Sequence, residues 1–107
     1  MENKQLRNLK TIVDTYGADP QMDMMIEESS ELIKALLKYR RKSKSDSATG
    51  TEMAELREAI IDEIADAKIM LAQMEILFGC AGEVESRVEY KINRTMEKIE
   101  KKEESQK

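Results

Sequence analysis

Five carboxylates carry the chemistry open to this sequence. Glu27, Glu28 and Glu31 lie in one short run, Glu-Glu-Ser-Ser-Glu, and Glu63 and Asp66 stand three apart in a second run, Glu-Ile-Ala-Asp. Side chains at i and i+3 adjoin on one face of an α-helix, so Glu28/Glu31 and Glu63/Asp66 each form a pair. Glu63 is the anomaly, because its neighbours at i−4, i−3, i+4 and i+7 are Ala59, Ile60, Ala67 and Met70. A charged, unpaired carboxylate on such a core-facing stripe costs several kcal/mol. A metal, a proton or a basic residue of another helix must compensate it. If the two helices pack antiparallel, both pairs converge, and four carboxylates in one space cannot all ionise without a cation. One or more Mg²⁺ ions would neutralise them and leave coordination sites for water and a substrate phosphate.

The rest of the composition narrows that cation. The chain has no histidine, which removes most zinc sites, imidazole general bases and the Glu-x-x-His di-iron pattern. Oxygen ligands then favour a hard ion, Mg²⁺ with Mn²⁺ as a substitute. The lone Cys80 cannot make an internal disulfide, so a reducing, cytoplasmic setting is expected. A net charge of −4 argues against nucleic-acid binding by bulk charge. No apolar run is long enough to span a bilayer, and the start Met1-Glu2-Asn3-Lys4 lacks a signal-peptide core, so no membrane partner is expected.

A second set of charges lies near the other end of the sequence. Arg87, Lys91, Arg94 and Lys98 fall at helical spacing as one ridge beside an apolar stripe of Val84, Val88 and Thr95. These cations either pair with Glu83, Glu97 or Glu100 and keep a helix soluble, or bind the charged oxygens of a polyphosphate bridged to the metal.

Helices must position all of these groups. One proline and four glycines leave little room for the turns of an all-β protein. Apolar periodicity, Gly17, Asp19-Pro20, Thr51 and Gly79 predict four helices over about 4–16, 20–42, 51–78 and 82–101. Asp19 and Pro20 read as N-cap and first helical residue, and Thr51 as the cap of the third helix. The expected architecture is all-α, a four-helix bundle-like single domain over 1–107. Residues 43–50 would be a flexible connection and 102–107 a frayed tail. The second helix is read with Met22, Met25, Ile26, Leu32, Ile33, Leu36 and Leu37 on its apolar face. The third carries a second strip, Ile61, Ala65, Ile69, Ala72 and Ile76, opposite the Glu63 face. A helix apolar on two sides in so short a chain predicts a homo-oligomer, dimer or tetramer.

Glu-Glu-x-x-Glu on one helix followed by Glu-x-x-Asp on the next resembles the all-α nucleoside triphosphate pyrophosphohydrolases, the MazG-like family. The likeness runs from about Met22 to Lys98 and rests on Glu27, Glu28, Glu31, Glu63 and Asp66. It implies Glu28, Glu31, Glu63 and Asp66 as Mg²⁺ ligands, Glu27 as a supporting or water-orienting acid, and Lys91 and Arg94 as phosphate contacts. It also implies cleavage of an NTP or dNTP to the monophosphate and pyrophosphate, with Glu27 or Glu31 accepting the proton of the attacking water. The competing expectation is a non-catalytic helical dimerisation or adaptor module whose acids make structural ion pairs.

Overall fold

Helix-forming residues run almost unbroken along this chain, and the interruptions fall where the backbone needs glycine or a polar turn. A computed structural model describes residues 1–106 and contains four helices: α1 (Asn3–Tyr16), α2 (Ala18–Ser43), α3 (Gly50–Phe78) and α4 (Ala81–Ser105). Gly17 at φ 90° ends α1 and starts α2, and Gly79 at φ 59° ends α3; both occupy left-handed φ, which costs glycine little.

The helix boundaries differ from the sequence reading by one to four residues at several ends, and Ser43 and Gly50 of the expected connection are helical. Three of the differences change a cap or a tail. Helix α2 begins at Ala18, so Gly17 and not Asp19 is its N-cap. Pro20 sits inside the first turn, where its missing N–H would have had no helical partner. Thr49, not Thr51, caps α3: its Oγ1 accepts from the Glu52 backbone N–H at 3.1 Å and donates to the Glu52 carboxylate at 3.0 Å. The cap thus lies two residues earlier than expected. Helix α4 continues through Ser105, so 102–105 of the expected frayed tail is helical, while residue 107 lies outside the described chain. Between α2 and α3 the link turns on Ser45, whose hydroxyl accepts from the Ser47 backbone N–H at 3.2 Å.

Helices α2 and α3 form the body of the molecule. Residues of α2 turned away from solvent include Gln21, Met25, Glu28, Leu32, Ala35, Tyr39 and Lys42; those of α3 include Met53, Leu56, Ile60, Glu63, Ala67, Met70 and Met74, and Gln73 is buried beside them. Both sets step by alternating fours and threes, the spacing of a coiled-coil seam. The pair is antiparallel and keeps one register along its length. Gln21 Nε2 donates to Gln73 Oε1 at 2.6 Å, Glu28 meets Asp66, and Lys42 Nζ pairs with Glu52 at 2.8 Å. Each step up α2 is matched by an equal step down α3. Against this pair α1 buries Leu9 and Val13.

The seam corrects the expected apolar face of α2. Ile26, Ile33, Leu36 and Leu37 are exposed, and the seam runs instead through Gln21, Glu28 and Ala35. On α3, Ala72 is buried and Ile76 half-buried, while Ile61 and Ile69 of the second strip face solvent.

Helix α4 stands off from this body. It contributes no buried residue, and it touches α3 but neither α1 nor α2. Its contact lies at its start, where Val84 borders a cleft with Leu71, Met74 and Phe78. The radius of gyration is therefore 18.4 Å, against about 13 Å for a compact chain of this length. No helix among the described residues is long and apolar enough to cross a membrane.

Candidate metal centre

The α2–α3 seam places two carboxylates where a coiled coil would put aliphatic side chains. Glu28 occupies a seam position of α2 and Glu63 one of α3, and Asp66 lies one turn on from Glu63. Antiparallel packing brings the three together. One carboxylate oxygen from each lies within 4.8 Å of the others. Among the described residues none of the three is in an ion pair with lysine or arginine. Glu63 Oε2 is shielded from solvent and has no hydrogen-bond partner, an arrangement that in a folded protein calls for an explanation.

The electrostatics follow from that crowding. Burial against the seam pushes the Glu28 carboxyl above the ordinary carboxylate range, and the charges of Asp66 and Glu63, a hydrogen bond with Asp66 and the charge of Glu27 add to it. Protonation of Glu28 is one way to relieve the repulsion; a cation is the other. The donor set is all carboxylate oxygen, which suits Mg²⁺ or Mn²⁺. Ligand atoms around an octahedral Mg²⁺ stand about 3–4 Å apart, so the trio fits such an ion after small side-chain movements. Glu28, Glu63 and Asp66 are the residues that would hold it.

The other acids lie nearby in different settings. The common register sets Glu31 level with Glu63, but its carboxylate is 3.4 Å from Lys34 Nζ on its own helix, and it is not part of the trio. Glu27 is exposed, on the rim of a pocket with Tyr16, Pro20, Asp23 and Met24. Lys91 and Arg94 are exposed on α4, with the Arg94 guanidinium 5.8 Å from the Tyr90 ring centroid. Because α4 meets neither α1 nor α2, one chain does not carry these two cations to the acids of α2.

Other cations do share the α2–α3 pair. Lys38, Arg41 and Lys42 line a pocket with Glu52, Glu55 and Leu56, farther along the same two helices. Lys42 is held by Glu52, and neither Lys38 nor Arg41 has an ion-pair partner among the described residues. At about 100° per residue, Glu27, Glu31, Lys34 and Lys38 fall on one flank of the α2 seam, and Ile26, Ile33 and Leu37 on the side of α2 turned away from it. Lys38 is not among the residues that the sequence reading singles out; the signal that could have found it is that Lys38 follows Glu31 by seven residues, two turns along one flank.

Comparison with known proteins adds no relative. No family model, no curated protein and no solved structure matches the chain.

Proposed function

We propose that this protein is a Mg²⁺-dependent nucleoside triphosphate pyrophosphohydrolase of MazG-like architecture that works as a homo-oligomer. The observation that supports it is the convergence of Glu28, Glu63 and Asp66 from two helices, with one shielded Glu63 oxygen unpartnered. A divalent ion bound there supplies neutralisation of phosphate charge and acidifies water for attack on the α-phosphorus. The protein's own residues do the rest. Glu28, Glu63 and Asp66 fix the position of that charge on two rigid helices. Glu31, level with Glu63, or the exposed Glu27 takes the proton of the attacking water at a carboxylate oxygen. Lys34 stands 3.4 Å from the Glu31 carboxylate on the same helix and holds that side chain on the flank beside the seam.

Two sets of cations are candidates for holding the departing pyrophosphate. Lys91 and Arg94 are the set that the resemblance implies, while Lys38 and Arg41 share the helix pair with the acids. Kinetics separate them: the double alanine variant of the true set raises KM at least about tenfold, as expected for lost charge-assisted phosphate contacts, and the other leaves KM unchanged.

The exposed apolar surface favours a second reading, a helical dimerisation or adaptor module that binds no nucleotide. Incubation with NTPs and dNTPs distinguishes the two. The hydrolase releases pyrophosphate only when Mg²⁺ is present, and a folded, Mg²⁺-binding preparation that releases none from any nucleotide sinks the proposal.

A further inference from the structure

The end of α1 and the first turns of α2 form an open pocket of about 590 Å³, a size that suits a small molecule. Tyr16, Pro20, Gln21, Asp23, Met24 and Glu27 line it. Gly17, at φ 90°, breaks the helix between Tyr16 and Ala18, and the buried Val13 anchors the end of α1 against the body. Tyr16 itself is 64% exposed, so its ring is available for stacking.

Both charged groups of the pocket are hydrogen-bond acceptors. Among the described residues neither Asp23 nor Glu27 is in an ion pair. Pro20 has no N–H, and Gln21 Nε2 already donates to Gln73. An aromatic ring beside carboxylates suits a flat heterocycle that stacks and donates hydrogen bonds.

The place of the pocket on α2 says which heterocycle. At about 100° per residue, Pro20, Met24, Glu27, Glu31 and Lys38 share one flank of that helix. Along it the aromatic pocket comes first, the acidic centre next, and the cations Lys38 and Arg41 last. Base, α-phosphate and terminal phosphates follow one another in the same order along a nucleotide. Met24 precedes Glu28 by one turn, about 6 Å of helix, a gap that a sugar bridges. Lys38 follows Glu31 by about 10 Å, within the combined reach of a phosphate chain and a lysine side chain.

We propose that this pocket receives the nucleobase of the substrate, stacked on Tyr16, and that Asp23 selects a base with an exocyclic amine. Guanine, cytosine and adenine can donate that amine to the carboxylate. Uracil and thymine offer one N–H between two carbonyl oxygens, which a carboxylate repels. The assignment rests on the hydrolase reading above and adds an orientation to it, with the terminal phosphates directed toward Lys38 and Arg41.

Isothermal titration calorimetry with Mg²⁺ and non-hydrolysable α,β-methylene triphosphates of the five bases tests it apart from turnover. The wild type binds the guanine, cytosine and adenine analogues at least about tenfold more tightly than the uracil and thymine ones. Y16A weakens binding of every analogue at least about fivefold, as loss of base stacking does. Y16F keeps the ring and binds like the wild type, and so does F78A, which removes an exposed aromatic outside the pocket. D23N exchanges an acceptor-only group for an amide that also donates, and it narrows the preference to within about threefold. Equal affinity of the wild type for all five bases, or a folded Y16A that binds as the wild type does, overturns the proposal. Base discrimination that survives both Y16A and D23N also overturns it, yet leaves the hydrolase reading standing with the base elsewhere. A folded, Mg²⁺-binding protein that takes up no analogue overturns both.

Discussion

Glu63 concentrates the argument at the scale of single residues. It occupies a seam position that elsewhere holds Ile60, Ala67 and Met70, and one of its oxygens is shielded without a partner. Removing its charge should therefore help the metal-free fold and harm the metal-bound one. We expect E63Q to leave the metal-free Tm unchanged or to raise it by a few degrees, since about 1 kcal/mol is worth roughly 4–8 °C in a domain this small. The same variant should lose the Tm gain that Mg²⁺ gives the wild type, because a ligand of the folded state alone stabilises by mass action. Its turnover should fall at least about a hundredfold, given that changes to groups merely supporting a metal ligand already cost 10–100-fold. Glu28 sets the pH dependence. Its pKa is raised on folding, so its stabilising contribution is complete below the unfolded carboxylate value and is lost as pH rises through the folded one. Thermal melts without metal should show E28Q losing less stability than the wild type across that window. Saturating Mg²⁺ should oppose the trend, because it binds the ionised acids.

At the scale of elements, most of the helices were legible and the seam was not. Apolar periodicity and the glycines at 17 and 79 located all four helices, with errors only at their ends. Sequence could not choose between α2 faces, because the more apolar one, Ile26, Ile33 and Leu37, is the one left exposed. The seam that formed includes Gln21, Glu28 and Lys42, whose partners Gln73, Asp66 and Glu52 lie on another helix and cannot be read from local pattern. Of the candidate site, the pairing of Glu28 with Glu63 and Asp66 followed from spacing and antiparallel packing. The diversion of Glu31 to Lys34 depends on rotamers, and the departure of α4 on a turn geometry that the Gly79–Gly82 stretch leaves open. The buried Gln21–Gln73 bond is the register lock. Q73A strands the Gln21 amide and should lower stability by about 1–3 kcal/mol, read by urea denaturation. T49A removes the α3 cap and should cost about 1 kcal/mol; T51A should cost far less, since Thr51 is not the N-cap.

At the scale of the whole molecule, three helices make a body and the fourth makes a surface. The acidic centre lies wholly within the α2–α3 pair, so its three carboxylates are assembled before any partner arrives. Charged substitutions at Val88 and Ile92, exposed on α4, should lower the mass of an oligomer while leaving the Mg²⁺-induced rise in Tm in place, which separates assembly from chemistry. The central claim remains the reaction, and isotope placement tests it most directly. Wild-type protein is incubated with Mg²⁺ and a panel of NTPs and dNTPs in ¹⁸O-labelled water, and the products are resolved by ³¹P NMR. Attack at the α-phosphorus predicts nucleoside monophosphate carrying the label together with unlabelled pyrophosphate, with both absent when Mg²⁺ is omitted. Label in orthophosphate or pyrophosphate, or no hydrolysis of any nucleotide by a folded, Mg²⁺-binding preparation, would contradict it.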